Sequence, residues 1–362
     1  MKLTGINYDV GTRYGEIMTR PEFGRAATCR DLGVIKNDLH CKAVRISGED
    51  TGRLIASARD ALQQGLEVWL SPLLHDKDEQ ETLEVTTACA AAAEELRQRW
   101  PRLVFVLGCE LTVFMPGLLA TAGGNVLDRI ASPGFREQLQ AGEHNKPLNA
   151  FLARANDAVR EVFHGQVTYA SAFVEAVDWT LFDFVCLDYY PARLDPLAQQ
   201  PYFTHGKPVV ITEVGCCTYQ GAEDKGGMGW SIIDQSSMPV QNLDGNYTRD
   251  ESLQARTLTA SLARLDSAGV NGCFVYTFII PALTHSEDPR KDLDMASYGL
   301  VKSLASGRGT TYPGMSWEPK ESFTAVAGYF AQHGELRPAG DRLDSCRSRE
   351  PWCRCLPRCR SH

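Results

Sequence analysis

A (β/α)8 barrel is the fold this sequence predicts, and three observations predict it. Eight short apolar runs recur along the chain, helix-like segments separate them, and polar residues gather where the runs end. Continuous rather than alternating apolar character suits strands buried on both faces, as in a parallel sheet. Strands alternating with helices read as β/α units, and eight such units close a barrel. A doubly wound open sheet is the alternative. The count of eight, and the lack of G-x-G-x-x-G after the first run, favour the barrel.

The apolar runs occupy residues 3–7, 42–46, 67–71, 103–108, 167–171, 182–187, 209–212 and 272–278. Helical segments are clearest at residues 50–64, 79–99, 149–163 and 252–267. In the first of these Leu54, Ile55, Ala58 and Leu62 share a face, and Gly65 follows where a helix C-terminus favours glycine. In the third, Phe151, Leu152, Ala155, Val159 and Val162 do the same. A last helix over 322–333 follows the eighth run, and weaker helical stretches are required after runs one, five and six. Two long loops stand out, from residue 111 to about 147 and from 214 to about 249, the second holding Gly226-Gly-Met-Gly-Trp230. Both follow the C-terminal ends of strands, the face where barrel enzymes bind substrate.

Residues 1–340 therefore form the barrel domain. Residues 341–362 have no period and little aliphatic content, and read as a disordered tail. That tail holds Cys346, Cys353, Cys355, Cys359 and His362, enough ligand types for zinc, but without the usual C-x2-C pair. Eight other cysteines are scattered through the body, several inside apolar runs where a thiol acts as a small hydrophobe.

Composition narrows function. Hydrophobic residues make up 43% and charged residues 23% of the 362, an ordinary globular balance. A net charge of −8 argues against nucleic acid as a partner, because phosphate binding wants clustered Lys and Arg. No apolar run reaches the roughly 20 residues that span a bilayer. The N-terminal residues enter a strand at once, without the apolar region and cleavage site of a signal peptide. The expected address is cytoplasmic, with most thiols reduced. No cofactor or metal is expected, and the sequence leaves the oligomeric state open.

The strand ends carry the chemistry. They read Asn7-Tyr8-Asp9, Arg45-Ile-Ser47, Glu110, Asp188-Tyr189-Tyr190, Glu213 and Tyr276-Thr277-Phe278. Any one of these alone is a polar terminus at the surface; six converging on one barrel face make a site. Glu110 and Glu213 lie about a hundred residues apart, room for roughly three β/α units of about 30 residues. Two carboxylates held across one pocket can divide acid and nucleophile duties, as glycosidic cleavage requires. Trp230, in the glycine-rich loop, is placed to stack on a sugar face; Trp179 is as well suited to the core. Cys216-Cys217 suits a pocket wall better than a redox or metal pair. Asp288, Asp292 and Asp294 read as a solvated acidic loop that could otherwise hold a cation or sugar hydroxyls. His144, His205 and His285 have no i, i+4 partner for a zinc helix.

The segments Val104-Phe-Val-Leu-Gly-Cys-Glu110 and Pro208-Val-Val-Ile-Thr-Glu213-Val-Gly215 resemble those of the retaining glycoside hydrolases of clan A. In that clan a Glu ending strand four is the acid/base and a Glu ending strand seven is the nucleophile. The loop Asp294-Met-Ala-Ser-Tyr298-Gly-Leu-Val301 resembles one found after strand eight in many such enzymes. The resemblance covers about residues 1–335. It implies that Arg45 and Tyr189 or Tyr190 contact Glu213, keeping it ionised and aimed. It implies that Glu110, with its pKa raised by its apolar strand and the neighbouring charge, protonates the leaving oxygen. Retention would need the two carboxyls about 5–5.5 Å apart.

Two positions depart from the clan. Cys109 stands where the clan usually has an Asn that bonds the sugar's 2-hydroxyl, so that Asn7 or a different substrate must compensate. Tyr276 or Phe278 stands where many relatives carry a Trp floor. The expected function is a retaining glycosidase or transglycosylase acting on a small soluble glycoside or oligosaccharide. The alternatives are a barrel that has lost hydrolysis and binds sugar, in defence or regulation, and another barrel enzyme, an isomerase or lyase, using Glu as base.

Overall fold

The computed structural model describes residues 1–120, 124–190, 201–236 and 239–333. The tail 341–362, with its four cysteines and His362, lies outside the described residues.

Eight parallel strands form the core: β1 (Leu3–Asp9), β2 (Ala43–Gly48), β3 (Glu67–Pro72), β4 (Leu103–Cys109), β5 (Gln166–Ala170), β6 (Val185–Asp188), β7 (Val209–Val214) and β8 (Gly272–Val275). Their spatial order is β5-β4-β3-β2-β1-β8-β7-β6. A parallel bridge from Ser171 to Leu187 joins the two edges and closes the barrel. Nearly every strand residue is buried, including both faces of β2, β4 and β7, as their unbroken apolar runs require. The centre is tightly filled. A Cβ on Gly5 of β1 would come within 2.5 Å of the Phe274 ring on β8, so glycine is needed there for close approach.

The outer helices are α1 (Arg25–Asn37), α2 (Thr51–Gln63), α3 (Glu79–Arg99), α4 (Leu111–Phe114), α5 (Val126–Ala131), α6 (Pro133–Ala141), α7 (Asn145–Val162), α8 (Glu251–Ala268) and α9 (Glu321–His333). Local chemistry sets their ends. Asp50 caps α2 by accepting from the Arg53 amide, and Asp78 and Glu81 form a reciprocal capping box on α3. The segment expected as a loop from residue 111 to 147 is instead largely helical, holding α4, α5 and α6 and the start of α7. Asn125 and Asp128 cap α5, and Pro133 opens α6. After β7, residues 222–224 and 226–232 form 3-10 turns. The helix expected after β5 is only the 3-10 turn Trp179–Leu181; after β6 the described residues show the turn Pro201–His205. Among the described residues no helix is long and apolar enough to cross a membrane.

The pairing is irregular at one end of the barrel. Register shifts fall between Val106 and Cys109 on β4, between Leu187 and Asp188 on β6, and between Cys273 and Val275 on β8. Bulges of this kind redirect side chains, and these precede or face the two glutamates.

Candidate active site

The site is built from those strand ends. Glu213 sits on β7, opposite Asp188 of β6 in the ladder. Its carboxylate accepts from Arg45 Nη1 at 2.6 Å through Oε1 and from the Tyr190 hydroxyl at 2.6 Å through Oε2. Arg45, on β2, is fully buried. Its Nη1 also donates to Asn7 Oδ1 at 3.1 Å, and its Nη2 to Ser71 Oγ at 3.1 Å. Asn7 in turn donates from Nδ2 to the carbonyls of Thr212 and Val275. This chain ties β1, β2, β3, β7 and β8 together beneath one carboxylate. Charge-assisted bonds of such length fix both charge and direction.

Glu110 is held differently. It follows β4 in a left-handed conformation, φ 44° and ψ 44°, which a non-glycine residue rarely adopts. Its surroundings impose that conformation. The Glu110 amide donates to Ala170 O, the Leu111 amide to the Tyr169 hydroxyl, and the Thr112 amide to Glu175 Oε1. The Tyr169 hydroxyl donates onward to Glu175, which closes the clamp. Withdrawal from water, then the charges of Asp188 and Glu213, hold the Glu110 carboxyl well above the usual range.

Asp188 is a third carboxyl that sequence reasoning placed at a strand end but assigned no role. It accepts from the Cys109 thiol at 3.2 Å, and its other oxygen is buried without a partner among the described residues. Burial and the charge of Glu213 push its pKa up to about 8. Cys109 Sγ also lies 3.7 Å from Glu213 Oε1, and burial pushes that thiol up. Ligand atoms of Cys109, Asp188 and Glu213 fall within 4.8 Å of one another, a spacing that could hold a cation. The Arg45 guanidinium already occupies Glu213 Oε1, and an ion there would have to displace it.

Glu110 and Glu213 line one cavity of about 350 Å³, together with Tyr190, Trp230 and Tyr276. Asn7, Arg45 and Cys109 lie beneath this lining and hold Glu213 and Asp188. Tyr189 is buried, and its amide donates to the Glu213 carbonyl, so that Tyr190 is the residue whose hydroxyl reaches the carboxylate. Tyr276, not Phe278, enters the cavity; Phe278 packs in the core against Trp317. Trp179 is also buried core.

Tyr14 went unnoticed in the sequence. It sits on a two-residue hairpin, Arg13–Tyr14 with Ile17–Met18, too short to leave a period. Asp9 builds that hairpin by accepting from the hydroxyls of Thr12 and Thr19 and the Gly11 amide. Tyr14 lines the same cavity as Tyr276 and the two glutamates. Burial, then the Glu213 charge, hold the Tyr14 and Tyr190 hydroxyls well above their usual range, so both remain donors at neutral pH.

Other sequence candidates have structural duties. Cys216 and Cys217 are buried, their thiols directed at the carbonyls of Cys217 and Ala296. Asp292 and Asp294 are not a solvated loop. Arg249 pairs with both, at 3.0 and 2.8 Å, and Lys320 pairs with Asp294 at 2.8 Å. Asp288 alone stays exposed, near Lys291.

No protein-family model and no curated protein sequence matches this chain. Solved structures do match. A GH113 β-1,4-mannanase superposes with a TM-score of 0.56 at 14% identity, over 91% of this chain and 98% of its own. At such identities the likeness is one of fold, a (β/α)8 barrel. A GH113 β-mannanase from Alicyclobacillus acidocaldarius, in complex with ManMIm, gives 0.54 at 16% identity over 91% of this chain and 96% of its own. A Parabacteroides merdae β-glucuronidase gives 0.51 at 12% identity over 91% of this chain, which matches 36% of that longer protein.

The Arg45–Glu213 pair makes a direct prediction. Removing one partner of a buried pair strands the other charge, which typically costs about 3–5 kcal/mol. Arg45→Ala is expected to lower unfolding free energy by about 3 kcal/mol in a denaturant titration. The double variant Arg45→Ala/Glu213→Ala should be more stable than Arg45→Ala alone. A double variant no better than the single would mean that the pair is not the cause.

Proposed function

We propose that this chain is a retaining glycoside hydrolase, or transglycosylase, that acts on a small soluble glycoside by double displacement. The observation that carries the reading is the contrast between two glutamates on one cavity. Glu213 is clamped by Arg45 and Tyr190, while Glu110 is pushed toward its protonated form. In the first step a Glu213 oxygen attacks the anomeric carbon as the bond to the leaving oxygen breaks. Glu110 gives its proton to that oxygen. In the second step Glu110, now a carboxylate, takes a proton from water, or from an acceptor alcohol, as its oxygen attacks the same carbon and frees Glu213. Arg45 and Tyr190 release and recover charge on Glu213 without moving, which is how a preorganised site lowers the barrier.

The cavity lies near the lower end of the range for small-molecule sites, about 300–1,000 Å³, which favours a compact glycoside over a polymer. Among the described residues eight thiols are free, seven of them buried, which suits a reducing compartment, and we place the enzyme in the cytoplasm.

The test is turnover of aryl gluco-, manno-, galactosides and glucuronides of both anomeric forms, with the product anomer followed by NMR from the first minutes. The first-formed sugar is expected to keep the substrate's configuration. An inverted product would remove Glu213 from the nucleophile's role. No turnover of any sugar, with binding retained, would transfer the reading to a sugar-binding barrel without hydrolysis.

A further inference from the structure

Resting on that reading, we propose that the leaving group is an apolar alcohol, alkyl or aryl, rather than a second sugar. The described lining of the cavity is polar around the glutamates and apolar elsewhere. Tyr14, Tyr190 and Tyr276 gather about Glu213. Beyond them stand Val113 and Phe114 of α4, Leu127 and Ile130 of α5, and Ile280 and Leu283 after β8. Apart from the tyrosines, the two glutamates and the Trp230 indole, the polar side chains of the described lining are Thr19 and Gln235. The Thr19 hydroxyl is already bonded to Asp9.

The position of this wall assigns it to the leaving group. Glu110 must face the leaving oxygen. Val113 and Phe114 belong to the helical turn that Glu110 begins. The wall therefore starts on the acid/base side. It is also preformed. Arg129 of α5 pairs with Asp76 at 2.7 Å and donates to Phe114 O at 3.0 Å and Val113 O at 3.3 Å, fastening α5 over α4. The His75 ring stacks on Phe114 with centroids 3.9 Å apart. A rigid apolar wall loses little entropy when an apolar group enters. A sugar in the same place would bury hydroxyls against Leu, Ile and Val, with no partner for them.

The experiment compares octyl and methyl 1-thioglycosides, which resist cleavage, by calorimetry below the octyl compound's micelle concentration. The sugar is one that the protein cleaves or, failing that, each of the four series above. The octyl compound is expected to bind at least about tenfold more tightly, because its extra methylenes leave water. Ile130→Gln and Leu127→Gln, both on partly exposed positions of α5, should each shrink that advantage severalfold and leave methyl binding unchanged. Equal octyl and methyl affinities, or a thio-linked disaccharide binding more tightly than the octyl compound, would overturn the proposal. So would an octyl advantage that neither variant alters. Because the readout is binding, it separates from catalysis. A tight octyl complex with no turnover of any glycoside would sink the hydrolase reading and leave the wall as an apolar binding surface only, whereas turnover without octyl preference would sink this proposal alone.

Discussion

Glu213→Ala is expected to cut kcat/KM on an activated aryl glycoside by roughly 10⁴-fold or more, the scale of losing a covalent nucleophile. The reason lies in what stays behind. Arg45 keeps Asn7 and Ser71 as partners, so the guanidinium remains in place beside a space the size of a carboxylate. A small anion such as azide can occupy that space, next to Arg45 and the Tyr190 hydroxyl. It would attack the anomeric carbon directly, in one displacement instead of two, so the glycosyl azide should have inverted configuration. Added azide is expected to recover at least a hundredfold of the lost rate when the leaving group is a nitrophenolate that needs no proton. A variant that keeps activity within tenfold of the wild type, or an azide product of retained configuration, would show that another group attacks.

Much of this arrangement was legible in the chain, for physical reasons that also explain what was not. The eight strands announced themselves because burial on both faces makes each run continuously apolar, and a glutamate ending such a run, as in residues 103–110 and 207–213, has no solvent-side excuse. The long helices α2 and α7 left an apolar period, and Gly65 marked the end of α2. Helices α4, α5 and α6, of four, six and nine residues, were too short to do so, and their segment read as a loop. The clasp on Glu213 was half visible. A buried Arg and a Tyr at strand ends were expected to meet it, but only the register shift beside Asp188 decides that Tyr190, not Tyr189, points its hydroxyl at the carboxylate. Asp188 and Tyr14 could not be assigned from sequence, because their importance depends on who faces them across the barrel. The ionic cluster of Arg249, Asp292, Asp294 and Lys320 was misread for the same reason, since its cations come from residues more than 20 positions away.

Glu110 carries the second large effect, and it depends on both leaving group and pH. General acid catalysis is typically worth about 10²–10⁴-fold. Glu110→Ala or Glu110→Gln should lose that much on an alkyl glycoside, whose leaving oxygen must be protonated, and far less in the first step on a nitrophenyl glycoside. The pH profile has a definite sign. Burial, then the charges of Asp188 and Glu213, raise the Glu110 carboxyl well above the usual carboxylate range, and the wild-type rate falls as pH rises through that raised value. The variants should lack this basic limb. Stability has the same sign. The folded chain keeps the Glu110 proton after the unfolded chain has lost it, so this group's contribution is full below the ordinary carboxylate range and declines as pH rises toward the raised value. Asp188, pushed up to about 8, adds a decline of the same direction that ends near that pH. Glu110→Gln should therefore flatten, not steepen, the fall of unfolding free energy between acid and mildly alkaline solution. Two results would contradict this account: a basic limb unchanged in Glu110→Gln, which would hand the proton to Asp188, and an alkyl glycoside cleaved as well by the variant as by the wild type, which would leave Glu110 without a catalytic task.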